Sequence, residues 1–514
     1  MRQPNVLLII LDTLRRDRLS AYGHRRETSP AFDDFASRAS LFTRAVAPSH
    51  WTIPAHASLF TGVYPSTHQV TQADSQLSGS YPTLAEILQG GGYHTAAFCN
   101  NPLVGVLLNG LGRGFADFYN YAGAVPNRPR DDGANDVQAR FLRWFRPHAR
   151  RITSFFSQHD AVFRASLHPL LTPIWTKYVN FKGDTAASIG DAIDYWDAYH
   201  AGGADQPLFM FVNLMGAHLP YRPPLDALER VAPDVRGDQH AFRFINRLNR
   251  SSADWASPRE QPLADWEDHA LKAFYDAEIA AQDAQLGRLL DHLARTGALR
   301  DTLVVIAADH GECHGEHDLF GHTFDVHQEL VHVPLVIHHP DYSGASSVET
   351  NVSTRRLFHT ILDAAGVEPP LDRADPNADV ARLSLLPLLD GAADGEGGIA
   401  FSEAFAPLTY VHLLERRSPA LLERLGLRET RRAVYQGDYK LVLRGDQVAA
   451  CYDVAADPDE LHDIRAAESE RIADMRARVE AFVRVAELSR ADSPRTVPVS
   501  AEVVEHLRAL GYIE

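Results

Sequence analysis

The sequence predicts an α/β protein built on a mostly parallel sheet, with a smaller C-terminal α+β part. Apolar runs of strand length recur along the chain, helical patterns lie between them, and short strand-like segments follow a Gly-rich stretch after residue 391. Runs that are apolar on both faces are typical of buried parallel strands. The four runs are Val6–Leu11, Leu208–Leu214, Thr302–Ala308 and Val333–Ile337.

Polar side chains follow three of these runs. Asp12 comes directly after the first run, His218 lies shortly after the second, and Asp309 and His310 follow the third. Because ligands of open α/β sheets bind beyond the carboxyl ends of the strands, we expect a functional site at this edge. The alternative interpretation is that these polar residues only end the strands.

Residue spacing and glycine predict the helix between the strands and the C-terminal elements. Tyr275–Leu293 carries apolar side chains on one broad face, and Gly297 is a typical helix stop. The small, acidic and Gly-rich segment Ala392–Gly398 marks a domain boundary. After this boundary we expect three hairpin strands and a final helix, at Ala433–Gln436, Tyr439–Leu443, Val448–Val454 and Glu468–Leu488.

The predicted division is therefore an α/β domain at residues 1–391 and a smaller α+β domain at residues 392–514. Two less regular stretches, at about 119–205 and about 220–268, interrupt the first domain. Long excursions after strand ends commonly shape substrate pockets, so we interpret both stretches as insertions of that kind.

Length, composition and charge exclude several classes of protein. The 514 residues are 45% hydrophobic and 23% charged, which is a typical globular balance. The net charge of −17 repels phosphate backbones and argues against nucleic acid as a partner. Three widely spaced cysteines argue against a disulfide framework. The first apolar run is too short to span a membrane and lacks a cleavage site, so we expect a cytoplasmic protein without a membrane span.

The densest group of chemically useful residues lies at Thr52–Gly62, which reads T-I-P-A-H-A-S-L-F-T-G. With this segment the chain resembles the sulfatase family of the alkaline-phosphatase superfamily. That family's signature is Cys or Ser, any residue, Pro, any residue and Arg, followed by Leu-x-Thr-Gly. Aligning on Leu59–Gly62 places Thr52 at the nucleophile and His56 at the Arg. Five further motifs follow the family's order, at Pro4–Asp12, Phe211–Tyr221, Tyr275–Ile279, Asp309–His322 and Tyr452–Glu460.

The resemblance covers nearly the whole chain and implies an alkaline-phosphatase-like α/β/α sandwich that hydrolyses esters. It implies one divalent ion (manganese, zinc or calcium) held by Asp12, Asp309 and His310, whose oxygen and imidazole groups suit such ions. Thr52 would contact the ion and lose its hydroxyl proton more easily, which makes it the nucleophile. The remaining catalytic residues implied are histidines that stabilise charge or protonate the leaving group, namely His56, His218 and His322.

Three departures from the family pattern affect the predicted substrate and the predicted metal ion. Thr52 cannot become formylglycine, because its β-carbon carries a methyl group, and superfamily members with an unmodified Thr mostly process phosphate esters. The family's Lys-x-His clamp falls near Asn100–Pro102 and is missing, so Asn100 is the expected neutral substrate-binding donor. His310 stands where Asn is common, which shifts preference from calcium toward manganese or zinc.

The leading hypothesis is a metal-dependent hydrolase of small-molecule phosphate or sulfate esters, with phosphodiesters favoured. One alternative is an arylsulfatase-like sulfuric ester hydrolase, and a variant passes the group to an acceptor alcohol. The alternative of another class is a catalytically silent binding protein that kept the fold, with Thr52 merely capping the following helix. The sequence is compatible with a homo-oligomer.

Overall fold

The computed structural model describes residues 3–105, 107–122, 127–129, 182–250, 262–342, 344–370 and 377–490, and one short strand beyond them. Most of the predicted 119–205 insertion, part of the 220–268 insertion and the last residues of the predicted C-terminal domain lie outside this range. The strands are β1 (Asn5–Leu11), β2 (Ser40–Val46), β3 (Ser75–Gln76), β4 (His94–Cys99), β5 (Asp117–Asn120), β6 (Leu208–Leu214), β7 (Thr302–Ala307), β8 (Cys313–His314), β9 (Phe320–Gly321), β10 (His332–His338), β11 (Ser346–Val348), β12 (Val352–Ser353), β13 (Ile399–Ala404), β14 (Arg431–Gln436), β15 (Tyr439–Arg444), β16 (Gln447–Asp453) and β17 (Arg495–Thr496).

Helices flank the strands and connect them. The α-helices are α1 (Pro30–Ala36), α2 (Thr52–Thr61), α3 (Pro65–His68), α4 (Leu84–Gly90), α5 (Pro102–Gly105), α6 (Thr185–Ala201), α7 (Leu225–Val231), α8 (Gln239–Arg250), α9 (Asp265–Thr296), α10 (Gln328–Val331), α11 (Leu357–Ala365), α12 (Val380–Leu383), α13 (Leu386–Leu389), α14 (Leu408–Arg417), α15 (Pro419–Arg424) and α16 (Ser469–Leu488). Single 3-10 turns lie at Arg16–Arg18, Ser20–Tyr22, Ala298–Asp301, Glu316–Asp318 and Thr354–Arg356. Within the described residues, no helix has both the length and the apolar character needed to cross a membrane.

A mostly parallel sheet forms the centre of the molecule. Its order is β11-β2-β10-β7-β1-β6-β4-β5, and β12 also pairs with β2. The strands β1, β6 and β7 at its middle are buried along their whole length, as their unbroken apolar sequences predict. The predicted α/β/α sandwich on a mostly parallel sheet is confirmed.

The fourth apolar run, Val333–Ile337, lies within β10, and the prediction of a parallel strand is wrong there. The strand β10 pairs antiparallel with both β7 and β2. The chain that follows β7 stays at the carboxyl edge of the sheet, so β10 starts from that edge and runs back. A parallel strand would need a crossover to the opposite edge first. Burial on both faces indicates that a strand lies inside the sheet, but it does not indicate the direction in which the strand runs.

The long helix α9 packs beside the sheet and supplies buried side chains over most of its length. It contains the predicted Tyr275–Leu293 segment and begins ten residues earlier, at Asp265. It ends as predicted at Gly297, which adopts the left-handed conformation with φ of 76°. The backbone N–H of Gly297 donates to carbonyls of the last turn, which closes the helix.

The C-terminal part forms a second sheet with its own small core. Its order is β13-β14-β15-β16, all antiparallel, and α16 packs against it. The predicted hairpin strands and final helix therefore exist, together with β13, which the sequence did not predict. The small core contains Val434, Leu441, Leu443, Cys451, Met475 and Val479. The boundary after Gly391 stays a prediction.

All three cysteines, Cys99, Cys313 and Cys451, are buried free thiols. Their placement agrees with the expectation that the chain has no disulfide framework. The cytoplasmic location and the oligomeric state stay predictions.

Gly311 allows two segments of the sheet edge to approach closely. Its N–H donates to the carbonyl of Leu330 at 2.7 Å, and a Cβ at this position would lie 2.0 Å from the carbonyl oxygen of Glu329. We expect Gly311→Ala to destabilise the fold by about 1–3 kcal/mol, because that backbone oxygen also accepts from the N–H of Glu312 and would have to move. Thermal and denaturant unfolding measure the effect.

Gly190 provides the matched control for this substitution. It lies inside α6, and a Cβ there would meet nothing within 4 Å. Gly190→Ala should stabilise the protein slightly, by about 0.5–1 kcal/mol, because alanine loses less backbone entropy in a helix. Equal changes in the free energy of unfolding for the two substitutions would contradict the close approach at Gly311.

Candidate active site

The candidate site lies at the edge where the parallel strands end. Asp12 follows β1, Asn101 follows β4 and Asp309 follows β7. Neighbouring strands β1 and β7 are in register, with Ile10 opposite Ala307, so their trailing residues meet. Sheet pairing thus brings together side chains that are almost 300 residues apart in the chain.

Asp12, Asp309 and His310 each offer one ligand atom, and these atoms lie within 4.8 Å of one another. All three side chains are completely buried. The Oδ1 atom of Asp309 accepts from two backbone N–H groups, those of Thr13 at 3.1 Å and His310 at 2.9 Å. Its Oδ2 atom has no hydrogen-bond partner within the part of the chain that the structure describes. A buried carboxylate oxygen without a partner is costly, and with this donor set it fits a divalent ion.

The tautomer of His310 follows from its neighbour. Its Nδ1 lies 2.9 Å from the carbonyl oxygen of Gly311. Because a carbonyl only accepts, Nδ1 carries the proton and Nε2 keeps its lone pair. Burial lowers the pKa of His310, which favours this neutral form. The ring is therefore oriented as metal-binding imidazoles usually are, with the distal proton on a carbonyl.

Thr52 is the first residue of α2, and its side chain is completely buried. The N-cap position is Trp51, and no side chain caps the helix there. The Thr52 hydroxyl instead lies with its Oγ1 3.2 Å from Nε2 of His310. This contact favours the nucleophile over the capping interpretation, because the hydroxyl is directed at the ligand cluster.

The two carboxylates strongly influence each other. Burial and then the negative charge of Asp12 raise the pKa of Asp309 well above its usual value. Asp12 is held by amides as well: Nδ2 of Asn101 donates to its Oδ2 at 2.6 Å, and Nδ2 of Asn213 lies 3.3 Å from the same atom. A cation between the two carboxylates would remove the repulsion that burial strengthens.

Thr13 holds both carboxylates through a strained backbone. It adopts a φ of 60°, which is unfavourable for a β-branched residue. In this conformation its N–H donates to Asp309, and its hydroxyl donates to Oδ1 of Asp12 at 2.8 Å. Tyr275 fixes the turn by donating its hydroxyl to the Thr13 carbonyl at 2.7 Å. The strain of about 1–3 kcal/mol is thus offset by contacts that align the carboxylates.

His56 lies one helical turn after Thr52 and is also completely buried. Its Nδ1 donates to the carbonyl of Thr52 at 3.0 Å and lies 3.4 Å from Oδ2 of Asp309. Its Nε2 is 3.5 Å from the amide nitrogen of Asn213. The structure therefore brings His56 to the cluster, where it orients the first turn of α2.

His218 and His322 lie on the other side of the cluster. Their ring centroids are 5.3 Å apart, and the ring of His322 is 4.5 Å from that of His310. Burial and then the charge of His322 lower the pKa of His218 to about 4. Burial, followed by the charge of His310, lowers the pKa of His322 well below its usual range. Both rings are therefore neutral imidazoles near neutral pH.

Glu312 is a site residue that the sequence reasoning missed. Its Oε1 lies 2.8 Å from Nδ1 of His322. Burial raises the pKa of Glu312 to about 7, against the opposing effects of His218 and His310. Its position two residues after His310 was the available signal, since that spacing places it in the same loop as the ligands.

The structure separates the roles of Asn100 and Asn101. Nδ2 of Asn100 lies 3.4 Å from the hydroxyl of Thr185 at the start of α6, and its Oδ1 has no hydrogen-bond partner in the described segments. Asn101 instead contacts the ligand Asp12. Substrate binding by Asn100 stays a prediction, and the contact of Asn101 was not predicted.

A family model described as Sulfatase matches residues 4–367. The chain belongs to the sulfatase family. The resemblance carried by the T-x-P-x-H segment and the five ordered motifs is therefore confirmed, and the protein is an ester hydrolase of that family. Family enzymes use a divalent metal, and the trio Asp12, Asp309 and His310 fits one on its donor atoms and on the unpartnered oxygen of Asp309.

Sulfatase-family relatives match along most of their length. The N-acetylglucosamine-6-O-sulfatase of Bacteroides thetaiotaomicron is 23% identical over 494 residues, which cover 90% of this chain and 83% of that protein. The choline-sulfatase of Rhizobium meliloti is 24% identical over 474 residues, covering 89% and 82%. The crystal structure of the phosphonate monoester hydrolase of Agrobacterium radiobacter is 23% identical and has a TM-score of 0.65, covering 96% of this chain and 100% of that one. These similarities establish the shared fold.

Replacing Asn101 should weaken ion binding, because its amide orients Asp12. We expect Asn101→Ala to lower the affinity for manganese or zinc by about 10–100-fold. Asn100→Ala is the matched control, since the Asn100 amide contacts α6. The metal affinity of this variant should equal that of the parent protein. Isothermal titration with each metal measures both variants. A comparable loss in both would contradict the separation of roles.

Proposed function

We propose that this sulfatase-family protein hydrolyses phosphate diesters through direct attack by the hydroxyl of Thr52. The observation that carries the proposal is the position of Thr52, buried at the start of α2 with its Oγ1 3.2 Å from His310 in the ligand trio. A divalent ion held by the trio supplies positive charge that lowers the pKa of an adjacent hydroxyl and stabilises anionic oxygens. The chain itself supplies the nucleophile, the orientation and the proton donors.

The charge of the site supports a singly charged substrate. The side chains around Thr52 are imidazoles, amides and the two carboxylates of the trio, and no Lys or Arg of the described residues pairs with Asp12 or Asp309. Arg15, which lies close by, is engaged by Asp17 and Glu316. A phosphate monoester carries up to two negative charges near neutral pH and would need more compensation. Phosphate diesters and sulfate esters carry one.

The nature of the nucleophile supports phosphate over sulfate. Attack by Thr52 Oγ1 on phosphorus forms a threonine phosphoester and releases one alcohol. Water must then attack phosphorus to release the second product and restore the hydroxyl. A formylglycine hydrate can expel sulfate by elimination, because its second hydroxyl becomes the aldehyde carbonyl. The β-carbon of a Thr ester carries no second hydroxyl, so this route is closed. An acceptor alcohol in place of water gives transfer instead of hydrolysis.

His322 and Glu312 are suited to protonate the leaving alcohol. Because the pKa of Glu312 is raised to about 7, its carboxyl holds a proton part of the time near neutral pH. That proton can pass to Nδ1 of His322, 2.8 Å away, while the other ring nitrogen gives its proton to the departing oxygen. His218, 5.3 Å from His322 between ring centroids, is placed to donate to the same region.

Thr52→Ala should lower phosphodiester turnover by about 10³-fold or more, because the nucleophile is lost. Thr52→Ser should keep measurable activity, since serine supplies the same hydroxyl. Thr61→Ala, in the last turn of the same helix, is the control, because the Thr61 hydroxyl donates to the Ala57 carbonyl within that helix and does not face the trio. Steady-state rates on aryl phosphodiester, phosphomonoester and sulfate substrates test the proposal.

Faster sulfate turnover than phosphodiester turnover would show that the substrate assignment is wrong, while dependence on Thr52 would still support the nucleophile. Activity that survives Thr52→Ala would contradict the nucleophile itself. Absence of turnover on all three substrates, with the ion bound, would favour the silent binding protein.

His322→Gln should affect substrates according to their leaving group. A nitrophenolate leaves without a proton, whereas an alkoxide needs one. We expect a loss of about 10²–10⁴-fold for alkyl diesters and a much smaller loss for nitrophenyl diesters. His240→Gln on the exposed face of α8 is the control. A uniform loss on both substrate types would mean that His322 positions the substrate and does not protonate the leaving group.

A further inference from the structure

A second cluster of metal-ligating side chains lies where the catalytic loop meets the C-terminal sheet. His317 comes from the 3-10 turn Glu316–Asp318, His327 precedes α10, and Glu460 follows β16. One ligand atom of each lies within 4.8 Å of the others. The two imidazole rings are stacked, with centroids 3.7 Å apart and planes only 3° from parallel, so the His317 ring must turn before both rings can direct a nitrogen lone pair at one ion. This cluster shares no residue with the trio at Asp12.

The atoms of this cluster are spaced for one ion. Nδ1 of His327 and Oε2 of Glu460 are 2.8 Å apart. Two ligands at that separation can both bind one zinc ion, because Zn–N and Zn–O distances are about 2.0–2.2 Å. Imidazole and carboxylate donors together are typical of zinc and other first-row transition ions.

An unpartnered carboxylate oxygen is the second observation. Glu329 exposes only 6% of its side chain, yet its Oε2 has no hydrogen-bond partner among the described residues. It lies 3.6 Å from Nε2 of His317, which is also without a hydrogen-bond partner. A small rotation of the His317 ring would join them, with Nε2–H donating to the carboxylate. Metal-ligating histidines usually donate their second ring nitrogen to a carboxylate in this way, which leaves Nδ1 of His317 for the ion.

The charged side chains around the cluster are compatible with a bound ion, but they can also hold a proton that competes with the ion. Lys440 is buried and pairs with Oε1 of Glu460, while Asp325 lies 3.8 Å from Nε2 of His327. Arg431 pairs with the other oxygen of Asp325. Lys440 and Arg431 thus pair with the carboxylates of Glu460 and Asp325, while the carboxylate of Glu329 lies beside His317. Without a metal, a proton shared by His327 and Glu460 occupies the same place.

We propose that His317, His327 and Glu460 bind a structural zinc ion, with Glu329 orienting His317. The ion ties the loop that carries His322 to the C-terminal sheet. Glu329 lies directly behind the active-site loop, because its carbonyl accepts from the N–H of Glu312 at 3.1 Å. The ion performs no catalytic step and acts by fixing this junction.

The test uses the full chain with the active-site trio disabled by Asp309→Asn and His310→Gln. After exposure to zinc and dialysis, this variant should keep one zinc per chain by elemental analysis. Adding His317→Gln should remove that zinc, whereas adding His462→Gln should not. His462 is a suitable control, because it lies in the same loop as Glu460 and 80% of its side chain is exposed.

A more conservative variant distinguishes loss of the zinc site from loss of the fold. Glu329→Gln keeps the shape of the side chain, and it should weaken zinc binding by about 10–100-fold in a competition titration. Cobalt substitution gives an independent readout, since its visible absorption should show a nitrogen-containing tetrahedral site that His317→Gln abolishes. No retained zinc in the trio-disabled protein, or equal zinc after His317→Gln, would overturn the proposal. Neither result depends on turnover, so failure here is separate from failure of the proposed function.

Discussion

Two buried carboxylates at the ends of neighbouring strands impose the main constraint on this structure. Asp12 and Asp309 follow β1 and β7 and are fully removed from solvent. Burying one ionised carboxylate costs several kcal/mol, and a second nearby adds repulsion. The surrounding groups offset this cost, because amides, backbone N–H groups and His310 all face the two carboxylates. The placement of Thr52 depends on the same arrangement, since its hydroxyl contacts the histidine that completes the trio.

The C-terminal sheet contributes to the loop that carries the nucleophile. The backbone N–H of Glu403 in β13 donates to the Pro48 carbonyl at 3.0 Å, and Ser49 donates its hydroxyl to the Glu403 carbonyl at 2.8 Å. The buried carboxylate of Glu403 accepts from the N–H of Ser66 just beyond α2. Both ends of the helix segment are therefore held by one strand of the second sheet. Removing the C-terminal part would expose the loop before Thr52 and release that hold.

Local apolar patterns predicted the fold, and the resemblance to the sulfatase family implied the residues of the trio. Unbroken apolar runs identify buried strands, and Asp12 and Asp309 follow those runs directly. The direction of β10 could not be read in this way, since an apolar run is the same in either direction. Asn101 and Glu312 depend on which side chain of a loop turns inward, and spacing alone does not determine that. Asn100 and Asn101 are adjacent and chemically identical, so only coordinates distinguish their contacts.

The reversed direction of β10 has a consequence for how this protein can change during evolution. Ala307 at the end of β7 pairs with Leu335 of β10, so the loop between the two strands begins and ends at the same edge of the sheet. For a loop closed in this manner, doubling the length costs only about 0.6 kcal/mol of closure entropy. Insertions in this loop that leave Glu312, His317, His322 and His327 in place can therefore accumulate without shifting the strands or the ligands beside β7. Such a loop can diversify its contacts with new substrates while the metal-binding geometry is inherited unchanged.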